Sequence, residues 1–299
     1  MRKHLHGALR ALLIPTLGLS ALAVAAPAAH AQATLEKIKQ RGQINVGYRA
    51  FSAPFSSSQK DATPTGYTID LCQPIIESLR QAVGDAKLPV RYVETPVDAR
   101  LRMLGGGNVD LLCENVTITP ERSQRMGFSE PVFLDAVQVA VRTKDNIQSL
   151  DQLQGKTIVA IDGTTAAPVM QAYAKTRNLQ WDMAKAVNAE AALGQLQLGW
   201  ASGYARDGTA LAAQINSLAD AAQYRMLPDR LSVERIAIAF RKDDAGMAAL
   251  VNNAIKASIR SGAAMGWYDK WFLKPTSAGG KPLFTEAPAE MKKLLAPGQ

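Results

Sequence analysis

Histidine is what this chain most conspicuously lacks. It carries three, His4, His6 and His30, and none beyond position 30. Their absence from the rest of the chain excludes His-based triads and imidazole acid–base work there. It also excludes paired Cys/His spacing, so no metal site and no cofactor is expected. Cysteine is scarcer still, with Cys72 and Cys113 alone, although both lie beyond position 30. No G-x-S-x-G elbow occurs. Past residue 31 there is no second long apolar run, so nothing there reads as a membrane span. Lys and Arg are scattered rather than clustered, which makes nucleic acid a poor partner. A Glu or Lys catalyst stays open.

What is present begins with a targeting segment at 1–31. Arg2, Lys3 and Arg10 form a basic start, Leu12 to Ala26 an apolar stretch interrupted by Pro15, and Ala29-His30-Ala31 a small-residue cleavage pattern. This predicts export across a bacterial inner membrane into the periplasm. No cysteine lies in the segment, which argues against a lipid anchor. The remainder suits two modest lobes or one large domain, and 47% hydrophobic residues are enough for a buried core. The formal charge is +8, three of it in the targeting segment; the mild excess would favour small anionic ligands. In an oxidising compartment Cys72 and Cys113 could pair as a disulfide, or stay as two buried thiols.

Along the chain, strands and helices alternate. Gln43 to Tyr48 reads as a strand, Ile69 to Leu79 as a helix, Val90 to Val93 as a strand. Asp98 to Leu104 reads as a helix ending at three glycines, and Val109 to Cys113 as a strand. A second βα series runs through Lys156–Ile161, Ala166–Tyr173, Ala189–Leu198, Ala201–Tyr204 and Gly208–Ile215. The fold class is therefore α/β, with sheets flanked by helices. Two β-rich stretches, Phe133–Val141 and Leu231–Phe240, bracket the middle and are predicted to cross between two lobes. Lobe 1 is then discontinuous, 32–141 plus 238–299, and lobe 2 is 142–237.

Polar clusters fall at the carboxyl ends of predicted strands, where such sheets bind ligands. Asn115, Thr117 and Thr119 follow one strand, and Arg122 opens the next helix. A guanidinium there can grip a carboxylate with two parallel bonds, although a solvated arginine would fit the same pattern. Gly163-Thr164-Thr165 joins a strand to a helix and offers amides to an anion; it lacks the lysine of a phosphate loop, and a simple helix cap is the plainer reading. Asp207 could hold an ammonium or cap a helix. Arg49 and Arg100, taken singly, read as surface charges.

Taken in order, these segments carry a resemblance. INVGYR, APFS with GYTIDLC, VDLLCENVTITPER with GFSEP, LDQLQGKTIVAIDGTT and GWYDKWF are together similar to the periplasmic solute-binding proteins of polar amino acid ABC transporters. The tail LFTEAPAEMKKLL resembles the glutamate/aspartate-binding subgroup. The resemblance implies a two-lobed type II periplasmic-binding fold, joined by two crossing strands and closing on its ligand by hinge motion. It implies a monomeric receptor rather than an enzyme, with an ABC permease in the inner membrane as partner.

Position by position, the resemblance implies that Arg122 holds the ligand α-carboxylate with Thr165 beside it and Thr164 in the same loop. Asn115 and Thr117 line the lobe 1 side, and Asp207 takes the α-ammonium. Arg49 and Arg100 correspond to cations that hold a side-chain carboxylate, hence the expectation of glutamate or aspartate. Two positions depart from that subgroup: Val97 stands where serine is usual, and Ala189 or Asn188 where a histidine is. The alternatives are a receptor for another polar amino acid, a periplasmic dehydratase-like enzyme on the same scaffold, and a sensory ligand-binding domain.

Overall fold

The computed structural model describes residues 33–58, 62–275 and 281–298. The targeting segment expected at 1–31 lies outside them. The chain first lays down β1 (Ile44–Tyr48), the short hairpin β2 (Phe51–Ser52) and β3 (Ser56–Ser57), β4 (Val90–Glu94), β5 (Leu111–Thr117), β6 (Met126–Phe128) and β7 (Phe133–Asp135). It then builds β8 (Val137–Arg142), β9 (Thr157–Ile161), β10 (Asp182–Ala186), β11 (Gly203–Asp207) and β12 (Tyr224–Met226), and returns with β13 (Glu234–Arg241).

Two sheets result. The first has the order β4-β1-β5-β13-β6, with β7 also on β13. Its β4, β1 and β5 are parallel, and β13 runs against β5, β6 and β7. The second has the order β10-β9-β11-β8-β12, with β10, β9 and β11 parallel and β8 opposed to β11 and β12. Both are therefore mixed α/β sheets whose parallel strands are joined through helices, which places strand ends on one edge.

The chain changes sheet twice. Between β7 and β8 the change falls at Ala136; on the return it falls between Leu231, bonded to Val137, and Glu234, opposite Asp135. Strand β8, counted with the first lobe from sequence, pairs wholly in the second sheet, and residues 234–237 pair in the first. A hydrophobic strand looks alike on either side of such a crossing; only its partners tell them apart.

The first sheet's main core gathers Phe55, Tyr67, Phe133, Tyr268 and Phe272, all essentially buried. Phe133 lies 4.8 Å from Phe272 and 4.9 Å from Phe55 between ring centroids. Such ring pairs add stabilisation beyond their buried area. The second sheet buries smaller residues on its two faces, with Ala140, Val159 and Leu196 in one cluster and Val139, Ile158 and Met170 in the other. Cys72, on the Tyr67–Val83 helix, is bonded to Cys113 on β5 with Cα atoms 6.2 Å apart, so the two cysteines form the disulfide and not two free thiols.

Strand β5 differs most usefully from expectation. Apolar pattern ends it at Cys113, yet it runs to Thr117 with all seven residues buried. Its far half pairs with β13, Val116 opposite Ala237 and Thr117 opposite Ile236. A central strand buried on both faces needs no alternation to stay in the sheet. Glu114, Asn115 and Thr117 are therefore strand residues held in the interior.

Candidate functional site

The polar ends of β1, β5 and β11 meet where the two sheets face each other. From the first sheet come Arg49, just past β1, and Glu114, Asn115 and Thr117 on β5. Arg100 opens the Arg100–Gly105 helix, and Arg122 lies in the Pro120–Ser123 helix, whose Thr119 side chain caps the Arg122 amide at 3.1 Å. The second sheet supplies Arg206 and Asp207 at the end of β11 and the Gly163–Thr165 loop after β9. All of the charged members are less than a tenth exposed.

One group comprises the bonds that cross between the sheets together with those that seat their members. Asn115 Nδ2 donates to Asp207 Oδ2 at 2.6 Å, while Ser52 Oγ donates to Asn115 Oδ1 at 2.7 Å. Arg122 donates from Nη1 to the Thr117 carbonyl at 3.0 Å and from Nη2 to the Gly163 carbonyl at 3.1 Å. Thr165 Oγ1 donates to Glu234 Oε2 at 3.0 Å. Arg206 reaches over to the Phe51 carbonyl at 2.9 Å and holds Gln214 Oε1 at 2.7 Å. Thr164 is turned back, donating to the Ile161 carbonyl at 2.7 Å, and so shapes the loop.

A second group stays within the first sheet and its helices. Arg100 Nη1 donates to Glu114 Oε2 at 2.9 Å, and Arg49 Nε lies 3.9 Å from the same oxygen. Thr95 Oγ1 donates to Glu114 Oε1 at 3.1 Å. Arg49 is seated by Ser56, whose hydroxyl accepts the Arg49 amide and donates to its carbonyl, both at 3.0 Å.

The electrostatics are those of charge brought indoors. Burial lowers the Arg49 pKa to about 10, and Arg100 and Arg206 press the same way against the attraction of Glu114 and Asp207. Arg122 is lowered to about 10 by burial and then by Arg100, with Asp207, Glu114 and Glu234 opposing. Asp207 is raised by burial and by Glu234, and held back by Arg206, Arg49 and the Asn115 bond. These mutual effects tie both groups of bonds into one field. Both arginines remain charged at neutral pH, and the cluster can oppose a fixed cation to a fixed anion across the sheets.

Two cavities open beside the cluster and share Val97 and Asp98. One of about 720 Å³ is bounded by Thr117, Arg122, Gly163, Thr165 and Glu234. The other, about 360 Å³, is bounded by Arg49, Thr95, Asp162 and Asn188. Asn188 caps the Ala189–Leu198 helix, accepting the Ala191 amide at 2.8 Å, and Ala189 is buried in the core.

The sequence-predicted residues Arg49, Arg100, Asn115, Thr117, Arg122, Thr165 and Asp207 thus gather in one place, and Thr164 supports the loop at its edge. Reading by sequence missed Glu114, Arg206 and Glu234. Glu114 and Arg206 each sit one residue before a residue singled out. A signal was available, since a carboxylate and a guanidinium amid strand residues imply burial with a partner. Among the described residues, no group of three or more His, Cys, Asp or Glu side chains is gathered to hold a metal, and no helix is long and apolar enough to cross a membrane.

Residues 44–274 match the bacterial extracellular solute-binding proteins, family 3. The chain is 28% identical over 264 residues to a Pseudomonas aeruginosa L-glutamate/L-aspartate-binding protein, covering 88% of this chain and 87% of that one. It is 27% identical over 278 residues to the glutamate/aspartate import solute-binding protein of Escherichia coli, covering 93% and 91%. The crystal structure of a cysteine-binding protein from Campylobacter jejuni is similar with a TM-score of 0.70 at 25% identity, covering 86% of this chain and 97% of that one.

Proposed function

The chain belongs to the bacterial extracellular solute-binding proteins, family 3, and from that premise we propose that it is a periplasmic receptor for a polar α-amino acid, which it delivers to an ABC permease. The carrying observation is the pairing of opposite charge across the sheets. Arg122 comes from one sheet and Asp207 from the other, both are buried, and each bonds the opposing sheet or its loop. A zwitterion needs one fixed cation, one fixed anion and several donors, all desolvated together. In this reading Arg122 and the Thr165 amide take the α-carboxylate, while Asp207 takes the α-ammonium. Asn115 and Thr117 complete the first-sheet side.

The two sheets are the two lobes, and the crossings at Ala136 and 232–233 are the hinge. A ligand bonded to both lobes favours their closed arrangement by the contacts it makes only there. Relatives named for glutamate and aspartate support an acidic side chain, as do Arg49 and Arg100. Glu114, already bonded to Arg100, works against a second carboxylate in the same place. Titration calorimetry with the twenty amino acids tests the receptor reading: at least one should bind with micromolar or tighter affinity, on the order of −8 kcal/mol. Heat from none of them would remove it.

A further inference from the structure

Glu114 is a charged side chain that the receptor reading leaves without a task. It is fully buried, with one oxygen on Arg100 at 2.9 Å and 3.9 Å from Arg49, and the other accepting from Thr95 at 3.1 Å. These are the two arginines expected to grip a ligand's distal carboxylate. The protein thus brings its own carboxylate to that end of the cleft. The edge of the cavity beside Arg49 is acidic as well, with Glu94, Asp98 and Asp162, of which Asp162 is paired with Lys185 at 3.1 Å.

Resting on the receptor reading above, we infer that Glu114 sets the side-chain class of the ligand: the site takes an amino acid ending in an uncharged group that both accepts and donates hydrogen bonds, a carboxamide, in preference to glutamate or aspartate. The alternatives fail one at a time. A side-chain carboxylate would be a second anion beside a buried one that has no exit to solvent. An ammonium or guanidinium would face Arg49 and Arg100. An apolar end would leave buried Arg49 donors without an acceptor, which costs more than the bond itself is worth. A carboxamide oxygen can accept from Arg49, and its NH2 can donate toward Glu114 or the acidic edge. Glutamine and glutamate have nearly the same shape, so the discrimination rests on charge.

The test is calorimetry on the purified, full-length gene product with L-glutamine, L-asparagine, L-glutamate and L-aspartate, and again on Glu114→Gln. The wild-type protein should favour an amide over its matching acid by about tenfold or more, and Glu114→Gln should shrink or invert that ratio by a similar factor. A wild-type preference for the acid overturns the inference. So does an unchanged amide-to-acid ratio in a folded Glu114→Gln protein, because a merely structural Glu114 would alter melting and leave the ratio alone. Should the variant fail to fold, the wild-type ratio decides by itself. Binding of none of the twenty amino acids removes the receptor reading and this inference together, whereas binding with the wrong ratio removes this inference only.

Discussion

Around Arg122 the side chains bond from one sheet to the other: Asn115 to Asp207, Arg122 to the Gly163 carbonyl, Thr165 to Glu234. Around Arg100 they bond within the first sheet and its helices, with Arg100, Thr95 and Arg49 converging on Glu114. Any separation of the sheets must break the first set and can leave the second intact. The Arg122 end is thus suited to contacts that exist only when the sheets meet, which is what couples a ligand to closure. At the Arg100 end, a preformed group whose charges already have partners is suited to choosing among ligands without moving.

Removing one arginine from each end separates the two roles. Arg122→Ala should abolish binding of acidic and neutral amino acids alike. Truncating one member of a buried charged contact costs about 2–5 kcal/mol, or about 30-fold to several thousand-fold in affinity. Calorimetry across a set of amino acids would read it, and a loss confined to one side-chain class would reassign Arg122 to the distal end. Arg100→Ala should act first on stability, because it leaves Glu114 buried at 0% exposure without its closest partner. The expected cost is about 3–5 kcal/mol, seen as a lowered urea midpoint. Adding Glu114→Gln to Arg100→Ala should recover part of it. If instead both arginine variants unfold at the wild-type midpoint, the Arg100 end is not the prepaired element described.

That asymmetry also explains what could be read from sequence. Arg122, Thr165 and Asp207 stand at strand ends and helix starts, where local pattern locates loops and the fold then brings the loops together. Pro120 and Thr119 mark the helix that carries Arg122, and Gly163 marks the loop before Thr165. Glu114 carried no such punctuation. Its burial comes from Thr95 and Arg100, 19 and 14 residues earlier, and from Arg49, farther still. The strand that encloses it on one side, β13, begins at Glu234. An apolar-run criterion therefore stops β5 at Cys113 and leaves Glu114 outside. The same blindness hid where the chain changes sheet, since β8 and the start of β13 declare their sheet only through partners. The alternation of strands and helices, by contrast, is written locally, and the α/β class followed from it.

A weaker effect is expected where the chain first passes from one sheet to the other. Asp135 closes β7 one residue before the chain leaves the first sheet, and it accepts from the Ala136 amide at 2.8 Å and the Thr209 amide at 3.2 Å. Burial, then repulsion from Asp207, raises its pKa from 3.8 to about 7, although those amide bonds and the Thr209 hydroxyl pull it down. A carboxyl whose folded pKa is raised contributes stability that is complete below its unfolded pKa and is lost as pH rises through the folded value. Stability should therefore fall on going from about pH 4 upward, with about 1 kcal/mol of the loss between pH 6 and 8. Asp207, also raised, acts in the same direction. Asp135→Asn keeps an acceptor for the amides and removes the titration, so the slope of unfolding free energy between pH 6 and 8 should flatten. An unchanged slope in a folded Asp135→Asn protein would show that the Asp135 carboxyl does not carry the pH dependence.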